Sequence, residues 1–285
     1  MMSAIKKYLS LVTFSHTIFA LPFACIGFVL ALKTGHTFSL KLFVLVILCM
    51  VFARSAAMAF NRYIDRKFDA LNPRTAVREI PSGIINPTNA LFFIIINCLL
   101  FIVATWFINS ICFYLSPVAL FVVLFYSYTK RFTPLCHLVL GCGLALAPIG
   151  AYLAVTGEFA WLPLLFSFTV FCWVSGFDII YALQDEAFDR SNHLKSIPVF
   201  FGTNGALRVS EVLHFFAFVF IVSAGIVGQF NWLYWIGVVL FSMLLIYQHT
   251  LVKPTDLSKV NRAFFTTNGI ASVVFAVFTI VSLFI

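Results

Sequence analysis

Nine stretches of about twenty residues, nearly free of charge, follow one another along this chain with short polar interruptions. They run near 9–32, 40–60, 88–108, 111–128, 134–156, 161–180, 211–228, 231–250 and 263–285. A helix needs about 20 apolar residues to cross the hydrocarbon core of a bilayer. The chain is 62% hydrophobic and 10% charged, which no water-soluble fold hides. The expected fold is therefore all-α: a polytopic membrane bundle of nine transmembrane helices, forming one domain over residues 1–285 with no room for a soluble one.

Lys6 and Lys7 precede the first apolar run and give it the look of a leader peptide. Its length, about 24 residues, is that of a span. Ala24 before Cys25 hints at a lipoprotein cleavage site, but the proline and phenylalanine just upstream fit that poorly, so the run reads as an uncleaved first helix. The seven cysteines all lie in apolar runs without a Cys-x-x-Cys pair, and read as packed thiols.

The net charge of +8 does not point to nucleic acid, because the basic residues are scattered among short connections. Topology accounts for them. With the N-terminus inside, sixteen of the eighteen Lys and Arg residues fall on the cytoplasmic side, and only Lys33 and Lys41 on the other. The positive-inside rule thus predicts a cytoplasmic N-terminus, an external C-terminus and residence in a plasma membrane, a bacterial inner membrane.

Two connections on the inner side are long, 61–87 and 181–210, and long connections in compact proteins carry function. They share the pattern Asp-x-x-Phe-Asp-x-x-Asn: Asp65, Phe68, Asp69 and Asn72 in one; Asp185, Phe188, Asp189 and Asn192 in the other. An Ile-Pro pair follows each. This suggests an internal tandem duplication. Six of the ten acidic residues, Asp65, Asp69, Asp178, Asp185, Glu186 and Asp189, gather in two short stretches, 65–69 and 178–189. Asn61, Asp65 and Asp69 are spaced i, i+4, i+8, one face of a helix; Asp178, Asp185 and Asp189, at i, i+7, i+11, are expected to share a face as well. Hard oxygen donors of this kind suit magnesium, which takes one or two carboxylates and fills its shell with water and phosphate oxygens. The cations around them, Arg62, Arg66, Lys67, Arg74, Arg78, Lys130, Arg131, Arg190 and Lys195, suit a diphosphate.

With these motifs in view the chain resembles a known family, the UbiA-type intramembrane aromatic prenyltransferases that include 4-hydroxybenzoate polyprenyltransferase. The likeness rests on Asn61-Arg-Tyr-Ile-Asp65-Arg-Lys-Phe-Asp69, on Asn72-Pro-Arg74-Thr75, on Tyr128-Thr-Lys130-Arg131 and on Asp178-Ile-Ile-Tyr181-Ala-Leu-Gln-Asp185-Glu-Ala-Phe-Asp189. It implies a helical bundle whose central cavity opens to the cytoplasmic side, and magnesium-dependent transfer of a polyprenyl group from its diphosphate to a ring carbon of an aromatic acid. On that reading Asn61, Asp65, Asp69, Asp185 and Asp189 hold magnesium. Lys130, Arg131, Arg74 and Lys195 take the diphosphate, and the aromatic acceptor lies near Asp178, Tyr181 and His16. Asp185, Asp189 and Asp178 all remain open as the group that takes the ring proton. Phe14-Ser15-His16-Thr17 and Asn72-Pro73-Arg74-Thr75-Ala76 look most like the subgroup that prenylates 1,4-dihydroxy-6-naphthoate on the futalosine route to menaquinone. The competing reading from the residues is an ion-coupled transporter, since intramembrane carboxylates also mark ion pathways. Against it, the acids cluster at helix ends instead of the midplane.

Overall fold

The computed structural model describes residues 4–12 and 18–285 and is helical throughout its ordered elements. The helices are α1 (Ala4–Leu11), α2 (Leu21–Leu32), α3 (Leu40–Leu71), α4 (Pro87–Trp106), α5 (Ser110–Thr129), α6 (Cys136–Thr156), α7 (Trp161–Ala182), α8 (Glu186–Ser191), α9 (Ile197–Val227), α10 (Trp232–Leu251) and α11 (Asn268–Ser282). Eight helical segments among the described residues are long and apolar enough to cross a membrane, and α2 is a shorter apolar helix. Polar caps set many of the starts. Ser39, Asn86, Asn109, Ser196 and Asn231 each accept a backbone N–H of the first turn, which satisfies a donor that lipid would otherwise strand.

Three expectations are corrected here. The first apolar run is not one helix among the described residues: α1 ends at Leu11 and α2 begins at Leu21, with Pro22 in its first turn. A proline ring clashes with the preceding turn and starts helices better than it continues them. The two long connections are also partly helical. α3 continues through 61–71, and α9 begins at Ile197, bending at Gly202, whose φ of 69° is left-handed. Finally, Asp178, Asp185 and Asp189 do not share one helix. α7 stops at Ala182, a 3₁₀ turn covers Leu183–Asp185, and α8 carries Asp189.

α7 is the most buried of the spans, and the core forms around it. Trp173, Phe166 and Phe177 of α7 pack with Phe23 of α2, Phe241 of α10 and Phe275 of α11. Trp173 Nε1 donates to Asn268 Oδ1 at 2.9 Å, and the Asn268 amide in turn donates to Ala263 and Phe264 carbonyls within the π-helical turn Arg262–Thr267. Close approach between helices is made by glycine. A Cβ on Gly27 of α2 would lie 2.0 Å from the Pro148 carbonyl oxygen of α6, and one on Gly176 of α7 would lie 2.4 Å from the His214 ring of α9. Small residues at such crossings let backbones touch where no hydrophobic force separates protein from lipid.

Candidate functional site

The last turns of α3 build the first half of the site. Asn61, Asp65 and Asp69 all lie on this continuous helix, as the spacing requires, and Asn61 Nδ2 donates to Asp65 Oδ2 at 3.2 Å. Asn72 then ends the helix. Its Oδ1 accepts the Arg74 N–H at 3.0 Å, a local turn that asparagine favours, and its Nδ2 donates to Asp185 Oδ1 at 3.1 Å. Thr75 Oγ1 donates to the Asp69 carbonyl at 3.1 Å. The Asn-Pro-Arg-Thr segment thus folds back over the end of its own helix and reaches the second motif.

Each motif carboxylate meets a cation. Arg131 Nη2 donates to Asp65 Oδ1 at 2.8 Å; Arg78 Nη1 donates to Asp69 Oδ1 at 2.7 Å; Lys130 Nζ lies 2.7 Å from Asp189 Oδ1. Arg74 grips Asp185 with Nε and Nη2 together and donates from Nη1 to the Tyr181 hydroxyl at 3.0 Å. Such forked contacts are the strongest of their kind. Lys130 and Arg131 stand between the motifs, one on each, and so join the two halves. Burial would push the Lys130 ammonium down, but the carboxylates of Asp189 and Asp185 outweigh it and hold Lys130 above the ordinary lysine range. Arg74 is likewise held above its ordinary range: burial opposes, while its hydrogen bond and charge contact with Asp185 prevail.

Lys195 is brought to the same loop, its backbone N–H donating to the Lys130 carbonyl at 2.7 Å and its Nζ to the Phe132 carbonyl at 3.2 Å. It does not touch a motif carboxylate. Tyr181 packs on Phe264 with centroids 4.2 Å apart. Asp178 bonds to His137 at 2.7 Å. His16 and its neighbours Phe14, Ser15 and Thr17 lie outside the described residues. Arg54, grouped by sequence with the end-loop cations, lies within α3 on the wall of a cavity.

That cavity, of about 410 Å³, runs among α3, α4, α5 and α6. Tyr126 and Arg54 line it, and Tyr126 lies within electrostatic reach of both Asp65 and Asp178, which marks this as the end nearer the carboxylates. Away from them the wall is apolar and built of small residues, among them Ala53, Ala119, Gly143, Ala147 and Gly150. Val118 of α5 and Phe159 are each 58% exposed, so the cavity is bordered by residues that face outward from the bundle. A bound chain would have a way to the bilayer.

The donors suit a hard divalent ion, but no group of three or more His, Cys, Asp or Glu converges on one point among the described residues. Magnesium needs no such cage where substrate phosphates complete its shell. Asp69 Oδ2 is buried with no hydrogen-bond partner among the described residues, an oxygen lone pair left over for a ligand. Sequence reasoning named Arg78 only as one of the cations around the carboxylates, missed His137, and expected a central cavity without naming the residues that line it. The signal for the cavity was present in the small residues 143, 147, 150 and 154 along one face of α6.

Comparison with known proteins bears on the family and the fold. The model of the UbiA prenyltransferase family matches residues 20–270. A 4-hydroxybenzoate octaprenyltransferase of Tolumonas auensis is 32% identical over 223 residues, 78% of this chain and 78% of that protein. The apo structure of a UbiA homolog from Aeropyrum pernix K1 superimposes with a TM-score of 0.84 at 31% identity, covering 93% of this chain and 97% of that one. A UbiA homolog from Archaeoglobus fulgidus, solved bound to GPP and Mg2+, shares the fold with a TM-score of 0.74 at 22% identity over 98% of this chain and 100% of that one.

Proposed function

Because the chain belongs to the UbiA prenyltransferase family, and is thus a membrane-embedded transferase, we propose that it moves a polyprenyl group from polyprenyl diphosphate to a ring carbon of an aromatic acid, of the 4-hydroxybenzoate or 1,4-dihydroxy-6-naphthoate type, in ubiquinone or menaquinone synthesis. One observation carries this reading: four carboxylates, each paired with a cation, lie beyond the Tyr126 end of an apolar cavity bordered by outward-facing residues. The polar end suits a diphosphate and the cavity suits its hydrocarbon tail.

Asn61, Asp65, Asp69, Asp185 and Asp189 would hold magnesium, which when bound neutralises the diphosphate and eases its departure. With the metal held there, Arg131, Lys130 and Arg74, which pair with these carboxylates, would be free to meet the phosphate oxygens, with Lys195 beside them. These cations stabilise the charge that grows on the leaving group. Loss of diphosphate leaves an allylic cation. Ring faces such as Tyr126 at the cavity's inner end stabilise it, and the apolar wall keeps water from quenching it. The acceptor ring then enters between the diphosphate and Asp178, with Tyr181 packed beside it.

With Arg54 set aside within α3, fifteen basic residues on one side support a cytoplasmic N-terminus and a catalytic end on the cytoplasmic face. The test is a membrane assay with a polyprenyl diphosphate and magnesium, offering 4-hydroxybenzoate and 1,4-dihydroxy-6-naphthoate in parallel and weighing the products. Prenylation of either fixes the acceptor class, and excess chelator abolishes it. If the donor is turned over and neither acceptor is prenylated, the acceptor assignment fails; if the donor is ignored, solute counterflow without product would favour the ion-coupled carrier.

A further inference from the structure

The loop between α3 and α4 carries two of the four cations that meet the motif carboxylates, Arg74 and Arg78. The residue after Arg78 is an acid with no place in the diphosphate site. Glu79 is 9% exposed; its Oε1 accepts the Ser10 hydroxyl of α1, and its Oε2 is buried with no hydrogen-bond partner among the described residues. A carboxylate so enclosed costs free energy unless a cation offsets it. Apolar packing seats α1 against the same loop. Leu11 shares one buried cluster with Ile80 and Ile85 of the loop and with Ala59 of α3, and Tyr8 stacks on Phe93 of α4 with centroids 4.8 Å apart.

The offsetting cation is Arg62. It is itself only 9% exposed and lies within electrostatic reach of Glu79, Arg78 and Asp69 together. On α3 it precedes Asp69 by seven residues, so both side chains leave the helix on one face. Arg62, Arg78, Asp69 and Glu79 thus form one neutral group behind the first motif. Within it Arg78 Nη1 donates to Asp69 Oδ1 at 2.7 Å, while Asp69 Oδ2 keeps no hydrogen-bond partner among the described residues. Without the charge of Glu79, the same group would set both arginines against Asp69 alone. The surplus charge repels a divalent ion, and a guanidinium has N–H donors to spare for the second oxygen.

We propose that Glu79, anchored by Ser10 of α1, is a positioning residue of the metal site: its charge answers Arg62, so that Asp69 meets one arginine only and keeps Oδ2 open for magnesium. This deepens the function proposed above and rests on it. Glu79 touches neither metal nor substrate and acts through Asp69. It also gives α1 a part in catalysis, since this helix, outside the spanning segments, holds the residue that sets the charge of the first motif.

The probe is Mn2+, added to purified protein together with a prenyl thiolodiphosphate, and its binding is read from the loss of the free-ion paramagnetic resonance signal. Glu79→Gln keeps the shape and an oxygen for Ser10 but removes the charge. It is expected to weaken Mn2+ binding by about tenfold or more and to raise the Mg2+ concentration for half-maximal turnover by a like factor. At saturating Mg2+ its kcat stays within about a factor of two of wild type. Adding Arg62→Met to Glu79→Gln removes the surplus charge and recovers most of the affinity, whereas a purely structural Glu79 predicts a further loss. Ser10→Ala weakens Mn2+ about threefold, and Ser10→Thr, which keeps the hydroxyl, does not. A folded Glu79→Gln protein with wild-type Mn2+ affinity, or a double variant no better than the single one, overturns the proposal and leaves prenyl transfer intact. Should the glutamine variant not fold, Ser10→Ala decides, and unchanged affinity there overturns the proposal equally. If the wild-type protein takes up no Mn2+ with the donor analogue and turns over no donor, the parent reading fails and this inference falls with it.

Discussion

Substituting Gly150 tests whether the cavity holds the donor's tail. Gly150 lies on α6, thirteen residues beyond His137, which at 1.5 Å per residue is about 20 Å from the level of Asp178. It lines the cavity, and a Cβ built on it meets no heavy atom within 4 Å. Gly150→Phe therefore projects into empty space, and replacing glycine within a helix gains a few tenths of a kcal/mol in propensity, so the fold is expected to stand. What changes is room. The tail arrives from lipid and not from water, so the loss is not a transfer term; it is the strain of overfilling a cavity, about 1–3 kcal/mol. That corresponds to a 5- to 150-fold drop in kcat/KM. Short donors that end before this level should be spared. The assay is a series of prenyl diphosphates of increasing length with one acceptor, comparing kcat/KM between wild type and variant. Gly143→Phe, six residues from His137 or about 9 Å, should move the cut-off to shorter chains. Equal effects on short and long donors, or none on either, would refute a tail in this cavity.

Three further outcomes are expected. Asp65→Ala and Asp185→Ala should abolish transfer while leaving a folded, monodisperse protein by size exclusion in detergent, because the partners they release, Arg131 and Arg74, are 27% and 32% exposed and can reach water; full activity in either would remove it from the metal site. Lys130→Met should destabilise by about 3–5 kcal/mol, since Asp189, with its side chain 0% exposed, loses its cation. Arg190→Ala breaks the exposed i,i+4 pair with Glu186 and should change stability by about 0.5 kcal/mol or less, so thermal unfolding of the two in one detergent separates them. Gly27→Ala should lower thermal stability markedly, because its Cβ would lie 2.0 Å from a backbone oxygen that cannot step aside; a wild-type melting profile would mean that α2 and α6 do not cross there.

How much of this was legible in the sequence depended on the range of the interaction. Asn61, Asp65 and Asp69 were readable because they share one unbroken helix, so spacing alone fixes their common face. The same logic failed at Asp185 and Asp189, because the backbone changes from α to 3₁₀ and back between Ala182 and Glu186, and the Asp acids converge through Arg74 and Lys130 instead. Hydropathy marks where lipid is tolerated, not where helices end, which is why the polar extensions 61–71 and 197–210 read as loops. Ser196 followed by Ile197-Pro198 was the local sign that α9 begins there. The His137–Asp178 pair left no local trace, since its members are 41 positions apart and His137, unlike Asp178 of the second motif, looks like a lone polar residue in an apolar run. The family motifs pointed to the chemistry, while His16 and its neighbours, expected to bear on the acceptor, lie outside the described residues.

The exposure of α5 has a consequence for kinetics in the membrane. Of the eight spanning segments it is the least buried, and with Val118 and its neighbours it is the border between the cavity and the surroundings. A tail that enters and leaves beside this single helix trades places with lipid chains rather than with water. Its motion is then governed by acyl order, so that cooling a membrane toward its gel phase slows turnover more steeply than the bond-making steps alone demand. The enzyme would keep time with the viscosity of the bilayer around it.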